Sequence, residues 1–404
     1  MTKKEAYSVL LNLKSTENDK NNKQHSTQFI WMSFLFWIGK YSKGLYYTNK
    51  LSKKRSTAEI EIYCWKGVLY YFLKDYSNAL LFLEKAEIIN PKNIDIKYLL
   101  AEIFFATAQL EKAEVRYRSL IGSNSKYKIL GLYGIGHCLL KTNRYDEALG
   151  FFNKALLSTK QEDQDNLVKI LNKRGLCLIE LNKIEEARLC FEECLRISPD
   201  DYNVQLNLAL TLSKLKKFEE AAKIYKKILS KTPHNIIAIN NCASCLAECD
   251  KNYEALEYYN IGLTIDPNNP DLLTNKGYCL YKLGHYNNAL ECLNEAEKIL
   301  KHDIILYNNK ALCLVAIGKY DEALKLFNKL LDSNKCNSDD LLFNKAYCLV
   351  KKGMYSEALT CLFNIKNKSS HNFDFYILKG ICFEQLGNHE AAVENFNKSL
   401  IIAG

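Results

Sequence analysis

The spacing of apolar and polar residues along this chain predicts short amphipathic helices joined by tight turns. The clearest example is residues 270–303, where small and aliphatic side chains recur every three to four residues on either side of a turn. Gly284 lies in that turn and supplies the left-handed conformation that ends a helix at low cost. Gly277 and Ala289 are small, so two antiparallel helices can approach closely. The stretch predicts a helical hairpin, which needs further hairpins beside it to bury its apolar face.

Copies of this hairpin follow one another through most of the chain, with a period of about 34 residues. The ten repeats begin at Ile60, Ile94, Ile129, Val168, Tyr202, Ile236, Pro270, Ile304, Asp339 and Phe373. With each repeat numbered from its first residue, position 8 is always glycine or alanine, and position 20 is always alanine: Ala79, Ala113, Ala148, Ala187, Ala221, Ala255, Ala289, Ala323, Ala358 and Ala392. The steps between repeats are nearly equal, except that the longest, from Ile129 to Val168, adds an acidic loop at residues 160–166.

Two further features carry a family resemblance. An aromatic residue stands three positions before the position-20 alanine in six copies: Tyr76, Tyr145, Phe218, Tyr286, Tyr320 and Tyr355. Proline closes four copies, at Pro91, Pro199, Pro233 and Pro267. Together with the period, these residues resemble the tetratricopeptide repeat (TPR) family. The resemblance implies an all-α fold, a right-handed superhelical solenoid of antiparallel helix pairs, over residues 60–404.

Residues 1–59, before the array, have a different composition. They hold 11 Lys or Arg against 4 Asp or Glu, a net charge of +7 out of +9 for the whole chain. Residues 3–15 could form a short helix, but residues 1–25 as a whole predict a basic, mobile extension. Residues 26–59 predict a degenerate, aromatic-rich first helix pair.

The first helix of that degenerate pair is apolar on nearly all sides. It contains Phe29, Trp31, Phe34 and Trp37. We expect these side chains to be covered by packing as a cap on the first regular repeat, by a partner, or by a lipid surface.

The other end of the array predicts a contact surface. The chain stops directly after the last predicted helix, with no polar capping helix. The face around Phe396 and Leu400 is therefore expected to be exposed and to meet another chain or a second copy. Self-association or membership of a larger complex follows from this expectation.

Composition and charge limit the cellular compartments and the classes of partner that fit this chain. The first 28 residues are polar and charged, unlike a secretory signal, and the longest apolar run, residues 29–39, is shorter than the roughly 20 residues of a membrane-spanning helix. Fifteen cysteines within helical repeats favour a reducing compartment, so we predict a cytoplasmic protein, with a ciliary or cytoskeletal association as a further option. The array carries a net charge of only +2, so neither nucleic acid nor membrane is the expected partner.

No catalytic pattern is present. The sequence lacks a glycine-rich phosphate loop, an HExxH motif and a Gly-x-Ser-x-Gly turn, and we predict a non-enzyme without cofactor, metal or small-molecule substrate. Seven cysteines share position 10, which indicates packing: Cys138, Cys177, Cys245, Cys279, Cys313, Cys348 and Cys382. Cys242, Cys245 and Cys249 could form three ligands of a zinc site, but no fourth ligand is evident.

The candidate binding residues form a ladder at position 6, Asn207, Asn241, Asn275, Asn309 and Asn344. Stacked primary amides can pair with the alternating N–H and C=O groups of an extended peptide. The ladder is similar to that of the TPR region of O-GlcNAc transferase; the alternative is that asparagine is simply common at this position in the family. The candidates beside the ladder would make an amphipathic groove: Tyr278, Tyr281, Phe343, Tyr347, Lys214, Lys282 and Lys351.

The predicted function is a non-enzymatic scaffold or adaptor that binds an extended peptide or a partner helix in its concave groove. Subunits of this kind occur in ciliary-transport complexes, the BBSome and the anaphase-promoting complex, and the resemblance does not choose among them. Two alternatives stay open. The chain could be the regulatory subunit of a separate enzyme, or a tether that uses its basic N-terminal residues to hold a membrane or nucleic acid.

Overall fold

The regular elements of the described residues are α-helices, arranged as consecutive antiparallel pairs. The computed structural model describes residues 1–15, 32–52, 59–123, 125–301, 303–332, 339–366 and 373–403. The first helices of the ten repeats are Glu59–Phe72, Ile94–Ala106, Ser125–Lys141, Gln164–Glu180, Tyr202–Lys214, Ile236–Glu248, Pro270–Lys282, Ile304–Ala316, Asp339–Lys352 and Phe373–Gln385. The second helices are Tyr76–Ile89, Leu110–Arg118, Tyr145–Ser158, Ile184–Ile197, Phe218–Lys231, Asn252–Ile265, Tyr286–Glu297, Tyr320–Asp332, Tyr355–Phe363 and His389–Ala403. The all-α array of helix pairs predicted from the repeats is confirmed.

The array divides into two compact units. Unit 1 is Met1–Thr211 and unit 2 is Leu212–Gly404, so the division falls within the first helix of repeat 5. In each unit, the two helices of a repeat pack against each other, and first helices of neighbouring repeats also touch. These contacts between first helices make a continuous surface within each unit.

The core of each helix pair is a large side chain packed on a small one. All ten position-20 alanines are fully buried. At position 24, on the second helix, every repeat carries Leu, Tyr or Phe. A Cβ added to Gly175 would lie 2.6 Å from the ring of Phe191, and one added to Gly277 would lie 2.8 Å from Leu293. The small residue at position 8 is therefore required by the side chain at position 24, a partner that the sequence interpretation did not identify.

The turn between the paired helices has the same backbone conformation in every repeat. Position 15 has a positive φ in all ten copies, although only four of them carry glycine there: Lys74, Ala108, Asn143, Asn182, Lys216, Asp250, Gly284, Gly318, Gly353 and Gly387. A left-handed conformation costs a non-glycine residue roughly 1–2 kcal/mol. The packing of the two helices on each other fixes this conformation even where the residue does not favour it.

Ala108→Gly is expected to raise the free energy of unfolding of unit 1 by about 0.5–1 kcal/mol, because relief of the left-handed strain at φ 58° exceeds the entropy that glycine adds to the unfolded chain. Ala106→Gly is the matched control, since Ala106 ends the preceding helix and the change there should cost about as much. Urea unfolding followed by tryptophan fluorescence reports on unit 1, which holds all three tryptophans of the sequence. Destabilisation by both changes would contradict the expectation.

The N-terminal residues differ from the mobile extension expected for residues 1–25. Lys3–Ser15 is a helix that packs against the first helices of repeats 1 and 2. Ala6, Val9 and Leu10 are buried in this contact. Three apolar side chains on one face, together with the ion pairs of Glu5 with Lys169 and of the Met1 ammonium with Glu102, dock a segment whose net charge suggested solvation; residues 16–25 lie outside the described part.

The described part of residues 26–59 contains the helical residues 32–37 and the helix Tyr41–Ser52. Phe36 is buried, and its ring centroid lies 6.1 Å from that of Trp65 in repeat 1. Phe34 and Trp37 are 51% and 47% exposed, while Phe29 and Trp31 lie outside the described residues.

Phe396 is less exposed than its neighbour Leu400 on the last helix. Its side chain is half-buried, because it occupies position 24 and its ring packs over Gly380 within its own repeat. Leu400, one turn further along the same helix, is 66% exposed as expected.

Candidate protein-binding groove

The candidate groove lies on the first helices of repeats 6–9, all within unit 2. Three of these helices begin at side-chain caps: Asn235 accepts a hydrogen bond from the N–H of Ala238, and Asn269 and Asp303 do the same for their own helices. The helices of repeats 6 and 7, 7 and 8, and 8 and 9 are each in contact. Residues at equivalent positions are thereby brought side by side.

The asparagines of position 6 lie at the contacts between neighbouring first helices. Asn275 donates from Nδ2 to Oδ1 of Asn240, at position 5 of the preceding repeat, over 3.0 Å. Asn344 donates in the same way to Asn308 over 2.9 Å. In unit 1, Asn207 donates to Asn172 over 2.9 Å. Every second junction from repeat 4 to repeat 9 is thus bridged by an asparagine pair.

The remaining two ladder residues are placed differently. Asn309 is only 6% exposed, which makes it the least accessible of the five, and Asn241 is half-buried. The structure therefore brings Asn240, Asn275, Asn308 and Asn344 together as two pairs, rather than as one uninterrupted row.

These pairs keep unused hydrogen-bonding capacity. A primary amide has two N–H donors and an oxygen with two lone pairs, so one bond leaves donor and acceptor groups free on each partner. The side chains of Asn240, Asn275, Asn308 and Asn344 are all partly exposed. Each pair is a fixed polar point that could bind a peptide main chain.

Two of the aromatic candidates, Tyr278 and Tyr281, lie on the first helix of repeat 7. The rings of Tyr278 and Tyr281 stack with centroids 6.4 Å apart, and Tyr281 lies 5.7 Å from Tyr286. Burial raises the pKa of Tyr281, and the nearby hydroxyl of Tyr347 from repeat 9 adds to the effect. Phe343 is half-buried among apolar residues of repeats 9 and 10. The groove therefore has an aromatic centre, formed by Tyr278, Tyr281 and Tyr286, in the repeat that carries Asn275.

The three candidate lysines have different environments. Lys282 donates to the carbonyl of Ala247 over 2.9 Å and pairs with Asp250 at 3.1 Å, so it links repeats 6 and 7. Lys351 lies over the ring of Tyr347 at 5.5 Å from its centroid. Lys214 is exposed at the start of unit 2. Of the three, Lys351 is the one that lies over an aromatic ring.

Two kinds of groove residue were not among the candidates predicted from the sequence. The position-5 asparagines Asn240 and Asn308 could have been found as the first members of the Asn-Asn dipeptides 240–241 and 308–309. Thr274 occupies position 5 of repeat 7; it is buried, and its Oγ1 has no hydrogen-bond partner among the described residues. No local signal marks Thr274, because a threonine within a helix is ordinary.

The cysteines of position 10 are buried thiols. Burial raises the pKa of Cys313 to about 12, which keeps the unreactive protonated form at neutral pH. In the proposed zinc cluster, the Sγ of Cys245 lies 3.1 Å from Oγ of Ser213, and Cys242 points its thiol toward the carbonyl of Ala222. Over the part of the chain that the structure describes, no group of three or more His, Cys, Asp or Glu side chains could hold a metal ion. None of the described helices is long and apolar enough to cross a membrane.

Family models match most of the array. Those described as tetratricopeptide repeat match residues 73–128, 128–200, 178–241, 308–365 and 373–403, together more than half of the chain. A model described as anaphase-promoting complex, cyclosome, subunit 3 matches residues 258–330.

Individual relatives match parts of the chain. The BBSome complex member BBS4 homolog of Drosophila melanogaster is 24% identical over 156 residues, which are 39% of this chain and 31% of that protein. The TPR repeat-containing protein MJ1428 of Methanocaldococcus jannaschii is 30% identical over 164 residues, 40% of this chain and 27% of that protein. The chain thus spans less than a third of the length of either relative.

One solved structure, a tetratricopeptide repeat protein from Parabacteroides merdae, is 21% identical with a TM-score of 0.49, covering 59% of this chain and 94% of that one. The helix pairs, their period and the family matches lead to one assignment. Proteins of this kind present extended surfaces that bind proteins or peptides, and they are generally non-catalytic scaffolds. This chain is a member of the tetratricopeptide repeat family.

Proposed function

We propose that this protein is a non-enzymatic adaptor that binds an extended peptide segment of a partner protein along the first helices of repeats 6–9. The observation that carries the proposal is the presence of two partly exposed asparagine pairs, Asn240 with Asn275 and Asn308 with Asn344, on the same run of first helices as the aromatic centre at Tyr281. Fixed amides suit main-chain recognition, and rigid tyrosines supply anchoring contacts at a small entropic cost.

The physical case rests on pre-organisation. The hydrogen bond within each pair already restricts both side chains, so little rotamer freedom remains to be lost when a peptide binds. Spaced two repeats apart, the pairs would bond separate points of one main chain, while Tyr278 and Tyr347 contact the side chains between those points. Recognition would then depend on an extended backbone first and on apolar side chains second.

We further propose that the chain works within a multiprotein complex in the cytoplasm. The matches to a BBSome member and to a subunit family of the anaphase-promoting complex support the first part of this proposal, since both names are those of parts of complexes. The described cysteines are free thiols, in keeping with a reducing compartment. The ciliary and cell-cycle settings are the two classes of complex that these relatives suggest.

Changing both Asn275 and Asn344 to alanine is expected to weaken partner binding by roughly 5–150-fold. The range corresponds to two hydrogen bonds of about 0.5–1.5 kcal/mol each. The measurement is quantitative affinity purification from the native cell, followed by calorimetry with the partner that it identifies. Circular dichroism would confirm that the variant remains folded.

Asn207→Ala is the matched control, because it removes an identical inter-repeat hydrogen bond from unit 1. This control should lower the free energy of unfolding by a similar amount per hydrogen bond lost. It should leave partner binding unchanged. If the double variant kept every partner, or if the control lost the same ones, the groove of repeats 6–9 would not be the binding site.

A further inference from the structure

A second candidate surface lies in unit 1 and is already filled by the chain itself. The helix Lys3–Ser15 lies against the first helices of repeats 1 and 2 and reaches those of repeats 3 and 4. Lys126, at the start of the repeat 3 helix, donates to Oγ of Ser8 over 2.8 Å. Lys169 of repeat 4 pairs with Glu5.

The repeat register shows which surface is covered. Leu130, at position 2 of repeat 3, lies beside Val9 and is only 7% exposed. Ile237 and Ile305 have the same position in repeats 6 and 8, and they are 66% and 63% exposed. The N-terminal helix therefore covers in unit 1 the type of surface that stays open in unit 2.

The covered surface contacts both apolar and acidic side chains of the N-terminal helix. Ala6, Val9 and Leu10 are buried against it, which is the face of an amphipathic helix. Lys169, which bonds Glu5, and the partly buried Lys173 add positive charge on the first helix of repeat 4. Glu5, which directly precedes Ala6 on the N-terminal helix, pairs with this positive charge.

Residues 160–166, which make the spacing between repeats 3 and 4 the longest in the array, contribute to the contact with the N-terminal helix. They include Asp165, which pairs with Lys4 of the N-terminal helix. Both side chains are largely exposed, so this ion pair adds little to the strength of docking. The pair of Glu5 and Lys169 is partly buried, and the terminal ammonium of Met1 pairs with Glu102 at 2.6 Å in a contact largely shielded from solvent. The apolar contact comprises only three side chains, so a competing helix that makes further contacts could displace the segment.

We propose that the surface formed by the first helices of repeats 1–4 is a binding site for an amphipathic partner helix, and that residues 3–11 occupy this site until such a helix displaces them. The partner helix carries the chemistry of the resident one: an acidic residue, a small residue directly after it, and aliphatic residues four and five positions after the acidic one. This site is separate from the groove of repeats 6–9 and does not depend on its function.

The test uses full-length protein and a fluorescein-labelled peptide of residues 3–15, acetylated and amidated at its ends. Val9→Asp combined with Leu10→Asp releases the resident helix. This protein should bind the peptide at least about tenfold more tightly than wild type in fluorescence anisotropy, because the tethered helix no longer competes at high effective concentration. Leu11→Asp is the matched control, since Leu11 is 48% exposed on the same helix; it should behave as wild type.

A charge exchange locates the bound peptide. Adding Lys169→Glu to the released protein should weaken binding of the peptide, and a peptide with Glu5→Lys should restore it. Glu5→Lys alone in the full chain, which keeps the apolar contacts and the fold, should give binding between that of wild type and that of the released protein. Failure of the released protein and of this milder variant to bind better than wild type would overturn the proposal.

A second copy is the alternative occupant, and light scattering distinguishes it. A wild-type dimer that becomes a monomer when Val9 and Leu10 are changed would mean that copies exchange their helices, and the proposal would be overturned. A wild-type monomer with a released variant that binds the peptide is the expected result.

Discussion

Replacing Phe152 with alanine is expected to lower the free energy of unfolding of unit 1 by about 3–5 kcal/mol. Phe152 occupies position 24 of repeat 3, and its side chain is fully buried. A Cβ added to Gly136 would lie 2.7 Å from the ring, so ring and glycine are in direct contact. Losing the ring would leave a cavity between two helices that neighbouring repeats hold in place, with little freedom to collapse.

Urea unfolding followed by tryptophan fluorescence measures this effect. Trp65 belongs to the same continuous core cluster as Phe152, so its emission reports on the affected region. Leu157→Ala is the matched control on the same helix, since Leu157 is 89% exposed and should change stability by no more than about 0.5 kcal/mol. Equal losses from the two changes would show that position 24 is not the centre of the helix pair.

Acidification is expected to destabilise unit 1 through His137. Burial lowers the pKa of this histidine to about 3, and the charges of Lys173 and Lys141 add to the effect. Its ring lies 4.5 Å from that of Phe105 and 5.8 Å from that of Tyr133. In the folded chain it therefore stays neutral from pH 7 down to about 3, whereas the unfolded chain takes up a proton near the ordinary pKa of 6.5.

The direction of this pH effect on stability follows from the difference in proton uptake between the folded and unfolded states. Between about pH 6.5 and 3 the unfolded state binds more protons than the folded state, so stability falls as the pH falls. Each pH unit in this window contributes about 1.4 kcal/mol, which gives a loss of roughly 2 kcal/mol by pH 5. Urea unfolding at pH 7.5 and pH 5.0 measures it in wild type and in His137→Gln.

The variant removes the titrating group and should lack this part of the pH dependence. Other carboxylates and histidines are common to both proteins and cancel in the comparison. A wild-type protein whose stability changes with pH by the same amount as that of His137→Gln would contradict a partly buried His137 that stays neutral in the folded chain.

The sequence by itself determined the fold class and the period of its repeats. A period of about 34 residues, small side chains at positions 8 and 20, and apolar side chains every three to four positions are local signals. They suffice because a TPR repeat contacts mainly its neighbours, so its sequence encodes nearly all its contacts. Residues 270–303, for example, contain the helices Pro270–Lys282 and Tyr286–Glu297, as their periodicity predicted.

The candidate site was predicted in composition but not in arrangement. The sequence supplied the row of position-6 asparagines, and only the structure joined Asn275 to Asn240 and Asn344 to Asn308. The two partners of each pair belong to different repeats, and whether their amides meet depends on the angle and separation of neighbouring first helices. No periodic pattern records those quantities.

Contacts across several repeats were decided by the tertiary structure alone. The N-terminal helix reaches residues far along the chain, as in the pair of Glu5 and Lys169. Its charge suggested a solvated extension, yet three apolar side chains fit a surface that exists only when repeats 1–4 are stacked. Sequence periodicity determines how each repeat folds; the surface that the stacked repeats create determines what docks on them.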